Sequence, residues 1–282
     1  MITLQNERLT VKIAKLGAEL KSMQRDGIEY IWQALPEVWA GSAPLLFPIC
    51  GGLKNDSYTY GGRTYRLEKH GFARHQLFAV EEATDTHAVF IHTSNEDTRA
   101  CYPFDYELRV IYDLSGDSLR VTYRVENRTD GEMYFSIGAH EAYYTPEGIE
   151  DYDVIFEKEE DLASQMLYGN LFGHSAMPML KGARTFPLYE KYFVVDALNF
   201  IDVASRSATL RNRKNGRAVR VDYPFAENFL LWHKPNAPYM CLEPWAGLPD
   251  FEDTDGDLTH KRGIIKLEKG AIYTGEHTVT LL

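Results

Sequence analysis

In the stretch YMCLEPWAG, residues 239–247, an apolar segment runs straight into a carboxylate and then into Pro-Trp. A carboxylate beside an apolar strand end costs free energy unless its charge is satisfied. Glu243 therefore either closes a structural ion pair or is a carboxylate wanted in a partly dry place. Two other segments put polar groups at strand ends or turns facing a concave surface. MYFSIGAHEAYY, residues 133–144, reads as a strand over 133–137 that ends at Gly138-Ala139 and delivers His140 among tyrosines. APLLFPICGGLKNDSYTYGGRTYRLEKHGFAR, residues 43–74, joins an apolar run to a Gly-rich turn, Lys54, and then His70 and Arg74. Glycines beside polar residues let the backbone turn sharply or approach a ligand. Taken singly, each histidine also fits a satisfied or solvated structural position.

The elements that must hold these groups alternate with period two. In YELRVIYDL, Tyr106, Leu108, Val110, Tyr112 and Leu114 share one face, and after SGD the pattern resumes in SLRVTYRVEN. That pair predicts a β-hairpin. SATLRNRKNGRAVRVDY predicts a second, with Asn215-Gly216 as a type I′ turn. LTVKIA, EYIWQ, HAVFIHTS, YFVVD, FLLWH and GIIKL are shorter strand candidates, and DLASQMLYG and part of TFPLYEKYF are read as short helices. No βαβ rhythm or solenoid period is present. The expected fold class is all-β, one domain of many antiparallel strands over residues 1–282.

Composition narrows the function. A net charge of −11 argues against nucleic acid, because neutralising phosphates needs clustered Lys and Arg, and it discourages anionic membrane surfaces. No run approaches the ~18 apolar residues of a membrane helix. The three cysteines, Cys50, Cys101 and Cys241, are widely spaced and form neither a disulfide framework nor a zinc pattern, so free thiols in a reducing cytoplasm are expected. His140-Glu141 begins like a zinc-protease motif, but Tyr144 stands where the second histidine is required. DFEDTDGDL, residues 250–258, lacks full calcium-loop spacing and reads as a solvated acidic loop. The aromatic content of 13%, with 18 Tyr, suits strands and sugar-binding surfaces alike.

LLFPICGGLKNDSYTYGGRTYRLEKHGFAR, FSIGAHEAYY, DALNF, YMCLEPWAG and LTHKRGIIKLEKG occur in an order that resembles the aldose 1-epimerase, or galactose mutarotase, superfamily, with its LacX-like branch nearest. The resemblance spans nearly the whole chain. It implies a large antiparallel β-sandwich, the galactose mutarotase-like supersandwich, with a sugar site in its concave face. Glu243 matches the catalytic base, His140 the proposed general acid, and His70 a second histidine of the sugar pocket. Asp196 matches a substrate-binding aspartate, with Asp202 and Asp222 as competitors. Lys54 stands where relatives carry a basic residue, usually arginine, and Arg74 and Trp245 complete the expected substrate-binding set. Glu141 replaces the proline common in this branch; it either raises the basicity of nearby histidines or points to solvent.

What the resemblance implies chemically is interconversion of the α- and β-anomers of a small-molecule aldose through ring opening. A base takes the C1 hydroxyl proton while an acid protonates the ring oxygen, each group contributing on the order of 10²–10⁴ in rate. Neither a metal nor another cofactor is required. Two alternatives stand beside it: a carbohydrate-binding protein without catalysis, and a mutarotase for a hexose 6-phosphate, which would need basic residues beside the pocket. A homodimer is compatible with the sequence, which does not fix the assembly.

Overall fold

A computed structural model describes all 282 residues. The period-two segments form strands as expected. Burial alternates residue by residue along Tyr106–Ser115, which hairpins onto Ser118–Asn127 with Leu114 opposite Leu119. Asn127 Nδ2 donates to the Leu267 carbonyl at 2.8 Å, tying the end of this hairpin to Ile265–Leu267.

Fourteen strands make one antiparallel sheet. From the site-bearing end, Ile137–Gly138 and Glu141–Tyr144 pair with Tyr239–Ala246, followed by Asn228–Trp232, Leu198–Phe200 and Tyr152–Tyr168. The sheet then continues through Ser207–Asn212, Ala218–Asp222, Ile272–Leu281 and the hairpin to His87–Thr93 and Ala79–Ala83. A second sheet of four strands runs from Ile2–Gln5 to Ile28–Glu29. Sixty-one buried residues form one core that takes in both sheets, from Leu4, Val11 and Met23 to Tyr112, Val121 and Phe229. Two polar ties fix the sheets together: the Tyr112 hydroxyl donates to the Ala18 carbonyl, and Arg25 to the Leu281 carbonyl, both at 2.7 Å. This is the large antiparallel β-sandwich that the resemblance implied.

Three local expectations are corrected, and one helix forms where none was expected. DLASQMLYG is not helical; it ends the 17-residue strand Tyr152–Tyr168, which hairpins onto Leu171–Pro187. Its period is masked because Glu160 and Ser164 occupy buried-face positions, where they accept the backbone N–H groups of Ser205 at 2.6 Å and Asn199 at 3.0 Å. YFVVD is not a strand: a short 3₁₀ turn, Glu190–Tyr192, leads into a loop that leaves Val194 and Val195 in solvent. The α-helix that forms, Glu96–Cys101, is set by an Asn95 capping box absent from the sequence reading. The second hairpin closes through a longer loop than a type I′ turn. Asn212 N–H donates to the Arg217 carbonyl, the Asn212 side chain accepts from Lys214 and Asn215, and Gly216 alone takes a positive φ, of 77°.

Candidate active site

Pairing register creates the centre of the site. Ile137 and Gly138 lie opposite Ala246 and Trp245, and Glu141 lies opposite Leu242, so the same register sets His140 opposite Glu243. The ladder opens at this point because Pro244 has no N–H to give. Pro244 still accepts from Ala139 N–H at 3.1 Å, and the indole N–H of Trp245 supplies the missing donor to the Ala139 carbonyl at 3.2 Å. Pro244 therefore does not end its strand, which runs on to Ala246. The Pro-Trp dipeptide leaves a satisfied gap in which two side chains face each other. His140 Nε2 stands 3.4 Å from Glu243 Oε2.

His70 reaches the same place by a strained turn. It takes φ = 70°, unusual for a side-chain-bearing residue. Its N–H donates to the Gly51 carbonyl at 2.9 Å, and its Nδ1 accepts from Gly51 N–H at 3.1 Å. Because Nδ1 accepts, the neutral ring carries its proton on Nε2. Gly51 is indispensable here: a Cβ would lie 2.4 Å from Pro249 Cγ.

These groups line one cavity of about 260 Å³, with Lys69, Arg74 and Asp196 around Glu243, His140 and His70. Trp39, Trp232 and Trp245 supply its aromatic wall. None of the 18 tyrosines lines it, contrary to the expectation that tyrosines would face a sugar ring. Of the three candidate aspartates, only Asp196 reaches the cavity. Asp222 instead binds Arg220 at 2.6 Å on the surface.

Lys54 is not part of this wall. Its ammonium donates to the carbonyls of Glu252 and Thr254, at 2.7 and 3.4 Å, and it borders a different surface depression. The basic groups at the pocket are the expected Arg74 and also Lys69, adjacent to His70 in EKHGFAR and overlooked in the sequence. Glu141 does not point to solvent, and its carboxylate is paired with neither site histidine. Strand alternation turns it into the core, where it meets His277 at 3.0 Å, both nearly inaccessible. Nor is the 250–258 stretch solvated throughout, since Asp250 is buried against Lys261 at 2.7 Å.

Burial dominates the electrostatics. It pushes the Glu243 carboxyl well above the ordinary carboxylate value; Lys69 opposes this, while Asp196 and Glu141 add to it. The same dryness lowers the His140 imidazole to about 3, with a contact to its own backbone offsetting part and Lys69 and Arg74 lowering it further. His70 is also held well below its usual value, first by burial and then by His140, Lys69 and Arg74. Displacement of a carboxyl upward and an imidazole downward is what a low dielectric does to an acid–base pair. Ligand atoms of His140, Cys241 and Glu243 lie within 4.8 Å of one another, a spacing that would admit a metal ion. Burial holds the Cys241 thiol in its protonated form, and the thiol does not line the cavity.

This fold and this constellation place the chain in a known class: residues 1–279 match the family described as aldose 1-epimerase, and the protein belongs to that family. Among curated proteins it is similar to the plasmid and chromosomal forms of protein LacX from Lactococcus lactis subsp. lactis. Each is 37% identical over 281 residues, covering 94% of both chains. Among solved structures it is similar to a galactose mutarotase related enzyme from Lactobacillus acidophilus, 35% identical, with a TM-score of 0.91 over 99% of this chain and 96% of that one. A galactose mutarotase-like protein from Lactobacillus casei matches over 100% of both chains, with 29% identity and a TM-score of 0.94.

Proposed function

We propose that this protein is an aldose 1-epimerase that opens and recloses the pyranose ring of a free aldose, with Glu243 as base and His140 as acid. The observation that carries the proposal is the opposition of Glu243 and His140 across one ladder gap, 3.4 Å apart in a dry cavity.

The pair works with one proton between its members. With a sugar bound, Glu243 takes the proton from the C1 hydroxyl, the C1–O5 bond breaks as the C1 carbonyl forms, and O5 takes the proton from His140 Nε2. The pair passes from carboxylate–imidazolium to carboxylic acid–imidazole, with no change in net charge. Rotation about C1–C2 presents the other carbonyl face, and reclosure runs the same transfers backwards. Burial favours the neutral form, so ring opening discharges a desolvated ion pair. Nε2–H of His70 is a hydrogen-bond donor to the sugar, Asp196 an acceptor from its hydroxyls, and Arg74 a donor to them. The faces of Trp232 and Trp245 cover the apolar side of the ring. Saturation-transfer NMR across a panel of aldoses tests the proposal. Accelerated exchange between anomers is expected, and binding without exchange would establish a carbohydrate-binding protein instead.

One observation favours a charged sugar as a second reading. Lys69 and Arg74 both line the cavity, and neither forms an ion pair with a carboxylate. Arg74 is held by the Lys69 carbonyl at 2.9 Å and by His75 at 3.0 Å. Two cations free of close ion pairs suit a hexose 6-phosphate, so glucose and glucose 6-phosphate belong in the same panel. A lower KM for the phosphorylated sugar, lost in Arg74→Ala, would select that substrate.

A further inference from the structure

His140 is positioned without a polar anchor. Its Nδ1 is buried with no hydrogen-bond partner on any other residue, and Nε2 faces Glu243 and the cavity. A histidine that must present one nitrogen to a reacting atom ordinarily has the other fixed by a carbonyl or carboxylate. Here rings surround it instead. Trp39 stacks on the imidazole, with centroids 5.3 Å apart and planes 27° from parallel, while Trp232 and His70 approach edge-on at 5.7 and 5.8 Å.

Trp39 does not belong to the sheet. It sits on an excursion between Ile31 and Leu46 that has local means of holding its shape. Trp39 N–H donates to the Leu35 carbonyl at 2.9 Å, and the Trp39 carbonyl accepts from the Trp32 indole at 2.8 Å. Ser42 and Ala43 N–H groups both bind one oxygen of Glu19, at 2.6 and 3.0 Å. Gly41 clears the space for the indole, since a Cβ there would lie 2.6 Å from Trp39 Cζ2. The loop thus holds the Trp39 indole over the His140 imidazole, with Trp232 and Tyr239 packed against it at 5.2 and 5.4 Å.

We propose that Trp39 is a positioning residue for His140: stacked on the imidazole, it fixes the plane in which Nε2 meets Glu243 and the sugar, and it keeps water off the outer face of the ring. This rests on the acid role given to His140 above. Stacking could act on the imidazolium in two opposed ways. Cation–π attraction would stabilise it by an amount equivalent to about one to two pKa units at a desolvated site. Exclusion of water destabilises it, by up to 3–5 units for a fully buried group. Exclusion is the larger effect and agrees with the direction found for His140. The other titratable groups facing His140 are Glu243 and Cys241 on the paired strand and His70, Lys69 and Arg74 on the adjoining turn. The substitutions below leave all of them in place.

The experiment compares Trp39→Ala, Trp39→Phe and Gly41→Ala with the parent, by NMR of the His140 ring from about pH 4 upward and by anomer exchange. Gly41→Ala keeps the indole but pushes it off the imidazole, so it separates loss of the stack from loss of the fold. In Trp39→Ala and Gly41→Ala, His140 should begin to protonate about one unit or more higher than in the parent. Their kcat should fall about 10- to 100-fold, the scale of a misplaced reacting group, with a smaller change in KM. Trp39→Phe, which retains a stacking face, should recover both to within a few-fold. Unchanged His140 titration in Trp39→Ala and Gly41→Ala, or kcat loss that Phe does not rescue, would overturn the assignment. If the parent itself shows no exchange with any sugar, the epimerase reading fails, while the ring titration still decides what Trp39 does.

Discussion

Replacing Glu243 by Gln is the most informative single change, because it separates the chemistry of this carboxyl from its shape. The amide fills the same dry space opposite His140, where the parent carboxyl is 2% exposed. It can donate and accept hydrogen bonds but cannot take a proton, so the one-proton relay between residues 243 and 140 is broken. A positioned acid or base contributes about 10²–10⁴ in rate. At about 1.4 kcal/mol per decade, kcat should therefore fall by the equivalent of about 3–5 kcal/mol. KM should change little, because an amide still receives the C1 hydroxyl. Saturation-transfer NMR between the two anomeric protons reads this directly. A Glu243→Gln variant within a few-fold of the parent would remove Glu243 from the mechanism.

Stability supplies an independent reading of the same substitution. The folded chain holds the Glu243 proton well above the ordinary carboxylate value, whereas the unfolded chain releases it near that value, 4.5. The folded state consequently binds more protons between those two values, and stability falls as pH rises through them. Gln carries no such penalty. The Tm difference, variant minus parent, should be smallest below about pH 4.5 and should grow in the variant's favour toward alkaline pH. A difference that does not move with pH would mean that Glu243 is not held in its protonated form by burial.

The pair's opposed shifts also set the pH profile. The active form holds one proton, so it is lost to a second protonation at low pH, with His140 lowered to about 3, and to deprotonation well above the usual carboxylate value. kcat/KM should be flat from about pH 4 to well above the ordinary carboxylate value, and a narrow bell between the ordinary carboxyl and imidazole values would contradict the dry-pair account. Glu141→Ala should cost about 1–3 kcal/mol, because it leaves buried His277 Nε2 without its hydrogen-bond partner, lowering Tm by roughly 2–12 °C while leaving kcat of the folded protein within a few-fold. A large kcat loss without a Tm change would give Glu141 a chemical role. Lys54→Ala should leave KM within about twofold, its ammonium serving the 252–254 carbonyls, whereas Asp196→Asn should raise KM about tenfold or more. Equal effects of these two changes would contradict the pocket boundary.

What could be read from the sequence follows from which interactions are local. The Tyr106–Ser115 and Ser118–Asn127 hairpin was legible because every inward position except the last, Asn127, is apolar or aromatic and the turn is short. Tyr152–Tyr168 was not, because two of its buried positions are polar and satisfied by backbone donors about 35 and 45 residues away. The site divides in the same way. His70, His140, Arg74 and Glu243 sit in motifs whose resemblance to a family names them, and the structure gathers all four with Asp196 and Trp245 at one cavity. Lys69 and Asn199 had a signal that went unused, since they adjoin HGFAR and lie within DALNF. Trp232 was recoverable in principle: it shares a strand face with Leu230, whose cross-strand partner is Glu243. Trp39 had no signal at all, because nothing in QALPEVWAGS says that the loop folds back across 100 residues onto an imidazole. The feature that turns an apparent strand terminator into an active-site device was equally hidden. Pro244 opens the ladder, and the indole of the next residue closes the hydrogen-bond account at Ala139, so the gap exists without an orphaned carbonyl. Trp245→Phe would remove that donor while keeping an aromatic wall. It should cost about 1–3 kcal/mol of stability from the unsatisfied Ala139 carbonyl, and it should loosen His140 next to it enough to lower kcat more than it raises KM. Thermal unfolding and anomer exchange on the same sample check both parts, and a Phe variant as stable and as active as the parent would show that the gap does not depend on the indole.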